Sequence, residues 1–226
     1  MKIILASGSP RRYELLSRLG LPFESFPPDI EEDFEVPGDP LDFAARMARS
    51  KAEAISTLHR DRVIIGADTI VAVDGVILGK PGDEERALEM LRLLNGKRHQ
   101  VITGIAAIYP EKGMVETGFR TTEVEFNQVT EERILEYVKN GDTLDKAGAY
   151  GIQGRGRFLV KSIEGCYHNV VGLPLCLLME LLGKIGLDGG SRWREIASNC
   201  CALPCSAAWP QPKGKQNSKW QITNRK

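Results

Sequence analysis

Five cysteines in 226 residues, without a pairing pattern, exclude a disulfide framework. Cys166 and Cys176 stand alone. Cys200, Cys201 and Cys205 cluster near the C-terminal end with no histidine beside them to complete a zinc site. There is no CxxC pair, no Ser-His-Asp order and no Walker lysine motif, and Gly154-Arg-Gly156 is too short for a dinucleotide fingerprint. Net charge is lacking too: 30 Lys and Arg balance 30 Asp and Glu, which argues against a nucleic-acid binder. Long apolar runs are missing. Ile3 to Ala6 is too short for a signal-peptide core, and Leu173 to Leu187 is shorter than a bilayer span and carries Glu180 and Lys184. The expectation is a soluble, cytoplasmic protein with no membrane or nucleic-acid partner.

What is present is a globular composition, 42% apolar and 27% charged, arranged as alternating strand and helix patterns through residue 187. Ile3 to Ala6 reads as a buried strand. Ser7-Gly8-Ser9 turns into a helix that runs to Leu19, with Ser9 as N-cap, Pro10 at the first helical position and Gly20 as C-terminal cap. A strand over Pro22 to Pro28, a helix from Asp39-Pro40 to about Leu58 and a strand from Val63 to Val73 follow. Asp74-Gly75 is a hairpin turn into Val76 to Leu78. Further predicted elements are a helix over Asp83 to Leu94, strands over Val101 to Tyr109 and Glu116 to Phe126, and a helix from Thr130 to about Lys139. A strand over Phe158 to Ile163 and a helix over Leu173 to Ile185 close the series. Residues 188 to 226 differ: seven Lys or Arg face two Asp or Glu, and Pro204, Pro210 and Pro212 interrupt any regular element. This tail is expected to be disordered or weakly ordered, and a solvated tail is favoured over a basic, Trp-bearing one that touches an anionic surface.

The chemistry is read from six segments. Arg11 and Arg12 occupy the first helical turn, the end of a helix dipole that repels cations; a phosphate between them and the exposed N–H groups resolves the conflict. An ordinary capped helix with solvated arginines is the alternative. Asp68 interrupts the apolar strand from Val63 to Val73, which is costly unless the carboxylate is paired, hydrogen-bonded or coordinated. Gly66 and Ala67 beside it are expected to leave room for a ligand. Lys80 sits on a turn stiffened by Pro81, and Lys51 lies on a helix face; either alone reads as a surface charge. Glu31-Glu32 alone reads as an exposed loop pair. In Asp145 to Gly154, three glycines permit close approach to a ligand, and the Gln153 amide can read a base edge. His99 reads as structural. Together, the basic groups, two acids and a Gly-rich wall point to a polyphosphate bound with a divalent metal.

These segments resemble the Maf (multicopy-associated filamentation) family of nucleotide pyrophosphatases. The matching pieces are Ala6 to Arg12, Glu31-Glu32, Arg46 to Ala52, Gly66 to Val71, Gly79-Lys-Pro81, His99 to Gly104, Asp145 to Gln153 and Asn169 to Pro174, in family order. The resemblance covers residues 2 to about 187 as one domain and leaves out the tail. It implies an elongated, mixed-sheet α/β fold with two lobes around a cleft, like inosine triphosphate pyrophosphatases. It implies hydrolysis of dTTP and UTP to the monophosphate and pyrophosphate with Mg2+ or Mn2+, and a homodimer. It assigns Asp68 as proton acceptor and Arg11, Thr69 and Gln153 as specificity residues. A sister group that prefers 7-methyl-GTP has an aromatic where this chain has Arg11.

Within that implied reaction, Ser7, Ser9, Arg12, Lys51 and Lys80 are expected to bind phosphates, and Glu32 to hold the metal. A free Asp, with a reference pKa of about 3.9, is a weak base near pH 7 and needs a raised pKa or a metal-acidified water. Two other readings stay open at this point: a nucleotide-binding regulator of cell division with little turnover, and a 7-methyl-GTP pyrophosphatase.

Overall fold

Ile3 to Ala6 forms β1, four fully buried residues. The computed structural model describes residues 2–30, 39–140 and 143–199 of the chain. Helix α1 (Pro10–Ser17) leads to β2 (Phe23–Ser25), which pairs parallel with β1. Helix α2 (Pro40–Ser56) crosses to β3 (Val63–Val73), parallel to β1 on its other side. Asp74 and Gly75 both have positive φ, as a tight hairpin turn requires, and β4 (Val76–Leu78) folds back on β3. Helix α3 (Glu84–Leu94) starts at Asp83, whose carboxylate accepts from the Arg86 N–H at 2.8 Å. Two long antiparallel strands follow, β5 (Arg98–Tyr109) and β6 (Met114–Phe126), then α4 (Glu131–Lys139) and β7 (Val160–Glu164). Helices α5 (Tyr167–Val171), α6 (Leu175–Lys184) and α7 (Gly190–Asn199) finish the described chain.

The expected mixed α/β fold is present. One sheet has the order β2-β1-β3-β5-β6-β7, with β4 also on β3; it is parallel from β2 to β3 and antiparallel from β3 to β7. Helix α2 covers one face: Ala48, Ala52 and Ile55 pack on Ile4, Ile64, Ala106 and Ile108, and Phe43 and Met47 on Ile70 and Ile102. The larger core lies on the other face, under α1, α3, α4 and α6. No helix among the described residues is long and apolar enough to cross a membrane.

Two glycines set how closely α2 lies on the sheet. A Cβ on Gly66 would come within 2.1 Å of the Ala48 carbonyl oxygen, and one on Gly104 within 2.1 Å of the Ala44 carbonyl oxygen. The space beside Gly66 is filled by a helix backbone, which corrects the expectation that it admits a ligand. Gly148 is likewise packed, a Cβ there falling 2.9 Å from Val71 Cγ2, so part of the Gly-rich segment approaches the protein's own chain rather than a ligand.

Other departures have physical reasons. β2 is three residues long, and Pro27 and Pro28 have no N–H for a ladder. Gly154–Leu159 is 3-10 turn, so β7 begins two residues after Phe158. Helix α5 has only five residues, too few to show a helical period. Within the segment after residue 187, α7 covers Gly190–Asn199, and Trp193 is buried in the larger core. Residues 200–226 lie outside the described residues.

Candidate active site

Strand β3 is longer than its neighbours on one edge, and that mismatch makes the site. Pairing with β1 ends at Ala6 opposite Gly66, and pairing with β4 begins at Val71 opposite Leu78. Residues 67–70 therefore have no strand partner among the described residues on that edge. Asp68 and Thr69 fall in this gap, at the carboxyl end of β1, where open sheets that mix connections place their ligands. A cleft of about 370 Å3 opens there, a size suited to a small-molecule ligand.

All nine described residues singled out for the site line this cleft: Ser7, Ser9, Arg11, Arg12, Lys51, Asp68, Thr69, Lys80 and Gln153. Glu32 lies outside the described residues. The sequence separations are bridged by named contacts. Ser9 caps α1, its hydroxyl accepting from the Arg12 N–H at 3.5 Å, and the Ser7 hydroxyl accepts from the Ser9 N–H at 3.2 Å. Ser25 ties the loop to β2 by donating to the Ser7 carbonyl at 2.6 Å. The Gly148 N–H donates to the Gly79 carbonyl at 3.0 Å, joining the Gly-rich wall to the Lys80 turn.

Because side chains alternate along a strand, Asp68 and Thr69 point to opposite faces of the sheet. On the α2 side, Lys51 donates to the Asp68 carboxylate, and both side chains are under one-tenth exposed. The pairing that the sequence demanded of Asp68 is thus met by Lys51. On the other face, Thr69 accepts from Arg12 Nη2 at 3.1 Å. Arg12 Nε donates to the Gly172 carbonyl at 2.9 Å and Nη1 to Ser7 Oγ at 3.3 Å. The guanidinium is held by groups from the loop after β1, from β3 and from the turn after α5.

Arg11 reaches across the cleft to Asp145, with Nη1 donating to Oδ2 at 2.9 Å. Lys146 donates to Oδ1 of the same carboxylate at 2.7 Å. Burial pushes the Asp145 carboxyl up, but the hydrogen bonds and charges of Lys146 and Arg11 outweigh it and hold it at about 2. Lys146 and Tyr150 also line the cleft and were not singled out in the sequence. The signal for Lys146 was its place beside Asp145 at the head of a Gly-rich segment. Tyr150 is nearly fully buried; its hydroxyl lies 2.8 Å from His99 Nε2, and Phe126 packs edge-on against both rings. Burial lowers His99 to about 4, so it is neutral near pH 7. This is the structural histidine the sequence suggested.

No cluster of three or more His, Cys, Asp or Glu that could hold a metal occurs among the described residues. Among the described residues, the carboxylates that line the cleft are those of Asp68 and Asp145. That set does not suit a metal needing an all-protein cage. It does suit Mg2+ or Mn2+ held by one or two carboxylates together with ligand phosphates.

The arrangement concentrates Arg11, Arg12, Lys51, Lys80 and Lys146 and the N-terminus of α1 in one cleft with the carboxylates of Asp68 and Asp145. Known proteins with similar sequences carry descriptions that match this chemistry. A family model described as Maf-like protein matches residues 2–185. A dTTP/UTP pyrophosphatase of Bacillus mycoides (strain KBAB4) is 49% identical over 187 residues, 83% of this chain and 97% of that protein. A dTTP/UTP pyrophosphatase of Bacillus cereus (strain G9842) is 47% identical over the same shares. Among solved structures, the Staphylococcus aureus Ham1 protein aligns with a TM-score of 0.42 at 16% identity, over 71% of this chain and 80% of its own. The family match spans β1 through α6 and every one of the cleft residues above, and on that match the chain belongs to the Maf-like protein family.

Proposed function

We propose that this protein is a nucleoside triphosphate pyrophosphatase that hydrolyses dTTP and UTP to the monophosphate and pyrophosphate. The observation that carries the reading is the convergence of phosphate-binding groups on a buried carboxylate in one cleft, in a chain 47% identical to a protein of that name. The setting that goes with this activity is the cytoplasm, where the nucleotide pool is held. A homodimer is the assembly to look for.

The triphosphate binds with its negative charge against Arg12, Lys51 and Lys80 and the N–H groups of the Ser7–Ser9 loop. A water oxygen forms a bond to the α-phosphorus. The bond from that phosphorus to the bridging oxygen breaks, and pyrophosphate leaves with the electron pair. Asp68 orients the water and accepts its proton. Charge that builds on the bridging and non-bridging oxygens meets cations already in place, which is where such a site gains most of its rate. Asp68, Glu32 and the substrate phosphates would hold Mg2+ or Mn2+, which supplies further charge neutralisation and acidifies bound water. Gln153, half-buried on the wall, offers both donors and an acceptor to a base edge. Arg11 and Thr69 complete the specificity set, Thr69 through its contact with Arg12.

Comparison of kcat/KM for UTP, dTTP, CTP and 7-methyl-GTP with Mg2+ tests the reading. UTP or dTTP is expected to exceed 7-methyl-GTP by at least about tenfold, the scale of one well-made base contact. A preference for 7-methyl-GTP overturns the pyrimidine assignment. Chelation is expected to abolish turnover, and added Mg2+ or Mn2+ to restore it.

A further inference from the structure

Beside the cleft runs a line of hydrogen bonds whose polarity is fixed by its two ends. Arg12 Nη2 lies 3.1 Å from Thr69 Oγ1, Thr69 Oγ1 lies 3.0 Å from Thr103 Oγ1, and Thr103 Oγ1 lies 2.9 Å from the Asn169 carbonyl oxygen. A guanidinium only donates, a carbonyl only accepts, and each hydroxyl has one proton. Thr103 gives its proton to the carbonyl, so it receives one from Thr69. Thr69 therefore faces Arg12 with lone pairs alone. Its hydroxyl proton points away from the cleft into the sheet.

The far end of the line is firmly set. Thr103 and Asn169 are fully buried. The Asn169 side chain donates to the Val101 carbonyl and to Thr122 Oγ1, each at 2.9 Å, and Thr122 in turn donates to the Cys166 carbonyl at the start of α5. Helix α5 ends at Gly172, whose carbonyl takes the Arg12 Nε–H. The same short helix thus anchors Arg12 directly through Gly172 and indirectly through Asn169, Thr103 and Thr69.

Resting on the proposed pyrophosphatase activity, we propose that Thr103 is a positioning residue: its buried hydroxyl orients Thr69 so that Thr69 holds the Arg12 guanidinium in place for the substrate phosphates. Thr103 does not touch the substrate and has no proton to transfer. Thr69 acts on the substrate through Arg12 and not as a donor to it.

The test uses the full chain with UTP and Mg2+. Thr103→Val keeps the side-chain shape and removes the hydroxyl. Its KM for UTP is expected to rise about tenfold, while a merely smaller folded fraction lowers kcat and leaves KM alone. Thr103→Ser keeps the donor and is expected to stay within about threefold of wild type. In a Thr69→Val background the Thr103→Val change is expected to add less than about twofold, because members of one line are not additive. If Thr103→Val fails to fold, Thr103→Ala takes its place in the same series. An unchanged KM in the folded variant, failure of Thr103→Ser to restore it, or a full repeat of the loss in the Thr69→Val background overturns the proposal. Wild type that binds UTP without releasing pyrophosphate overturns the pyrophosphatase reading alone; the same pattern is then expected in the Kd for UTP measured by calorimetry. Wild type that does not bind UTP overturns both.

Discussion

Lys51 and Asp68 are the residues on which site and stability meet. Both are buried and they pair with each other, so removing the carboxylate takes a hydrogen-bonded charge partner away from a buried lysine. Asp68→Asn is expected to lower turnover by at least about 100-fold, the scale of a lost acid–base group. It is also expected to lower stability, because a buried charge pair loses one of its members. Pairing it with Lys51→Gln separates the two effects: denaturant midpoints recover much of the stability, and UTP hydrolysis stays lost. Recovered turnover in the double variant would show that Asp68 is not the proton acceptor. His99 has a different part. Its folded pKa of about 4 lies below the unfolded value of 6.5, so the unfolded chain binds a proton that the folded chain refuses. Stability therefore falls as pH drops from about 6.5 to about 4, by roughly 3 kcal/mol if nothing else titrates. Asp145, lowered to about 2, adds a loss of the same sign at lower pH, between its ordinary value of 3.8 and about 2. Urea unfolding of wild type and His99→Gln across pH 4 to 7 checks this: the variant's profile is expected to be flatter in that window.

At the scale of elements, the contact of α2 with the sheet is what brings Lys51 to Asp68. Gly66→Ala pushes a methyl group against the Ala48 carbonyl, a rigid neighbour, and is expected to cost at least about 2 kcal/mol. Turnover should fall with it as Lys51 shifts, measured as kcat alongside the melting temperature. Much of this level was legible in the sequence. Ser9-Pro10, Asp39-Pro40 and Asp83 announce three helix starts through local cap chemistry, and Asp74-Gly75 announces its hairpin through positive φ. What was not legible depends on partners distant in sequence. Gly66 looks the same in a chain whether a helix or a ligand fills the space beside it. Arg11 carries no mark that its partner is Asp145, 134 residues away. The short helix α5, which anchors Arg12 and Asn169, is held by contacts rather than by a periodic pattern.

The whole molecule places its cleft where a parallel half-sheet becomes antiparallel. The strand that spans the change, β3, is left bare over residues 67–70 between β1 and β4. Order in the described chain runs on beyond the family match, since α7 packs Trp193 into the larger core and Arg192 donates to the Arg18 carbonyl at 3.3 Å. Cutting the chain after Leu187 is therefore expected to lower the melting temperature while leaving kcat/KM for UTP within about twofold, because no described residue of α7 lines the cleft. A large loss of activity in a folded truncation would give the tail a functional part. The central claim is attack at the α-phosphorus, and product identity tests it most directly. UTP and dTTP are incubated with the protein and Mg2+, and the products are separated. Monophosphate and pyrophosphate in equal amounts, lost in Asp68→Asn, are the predicted result; diphosphate and inorganic phosphate would mean attack at the γ-phosphorus and contradict the account.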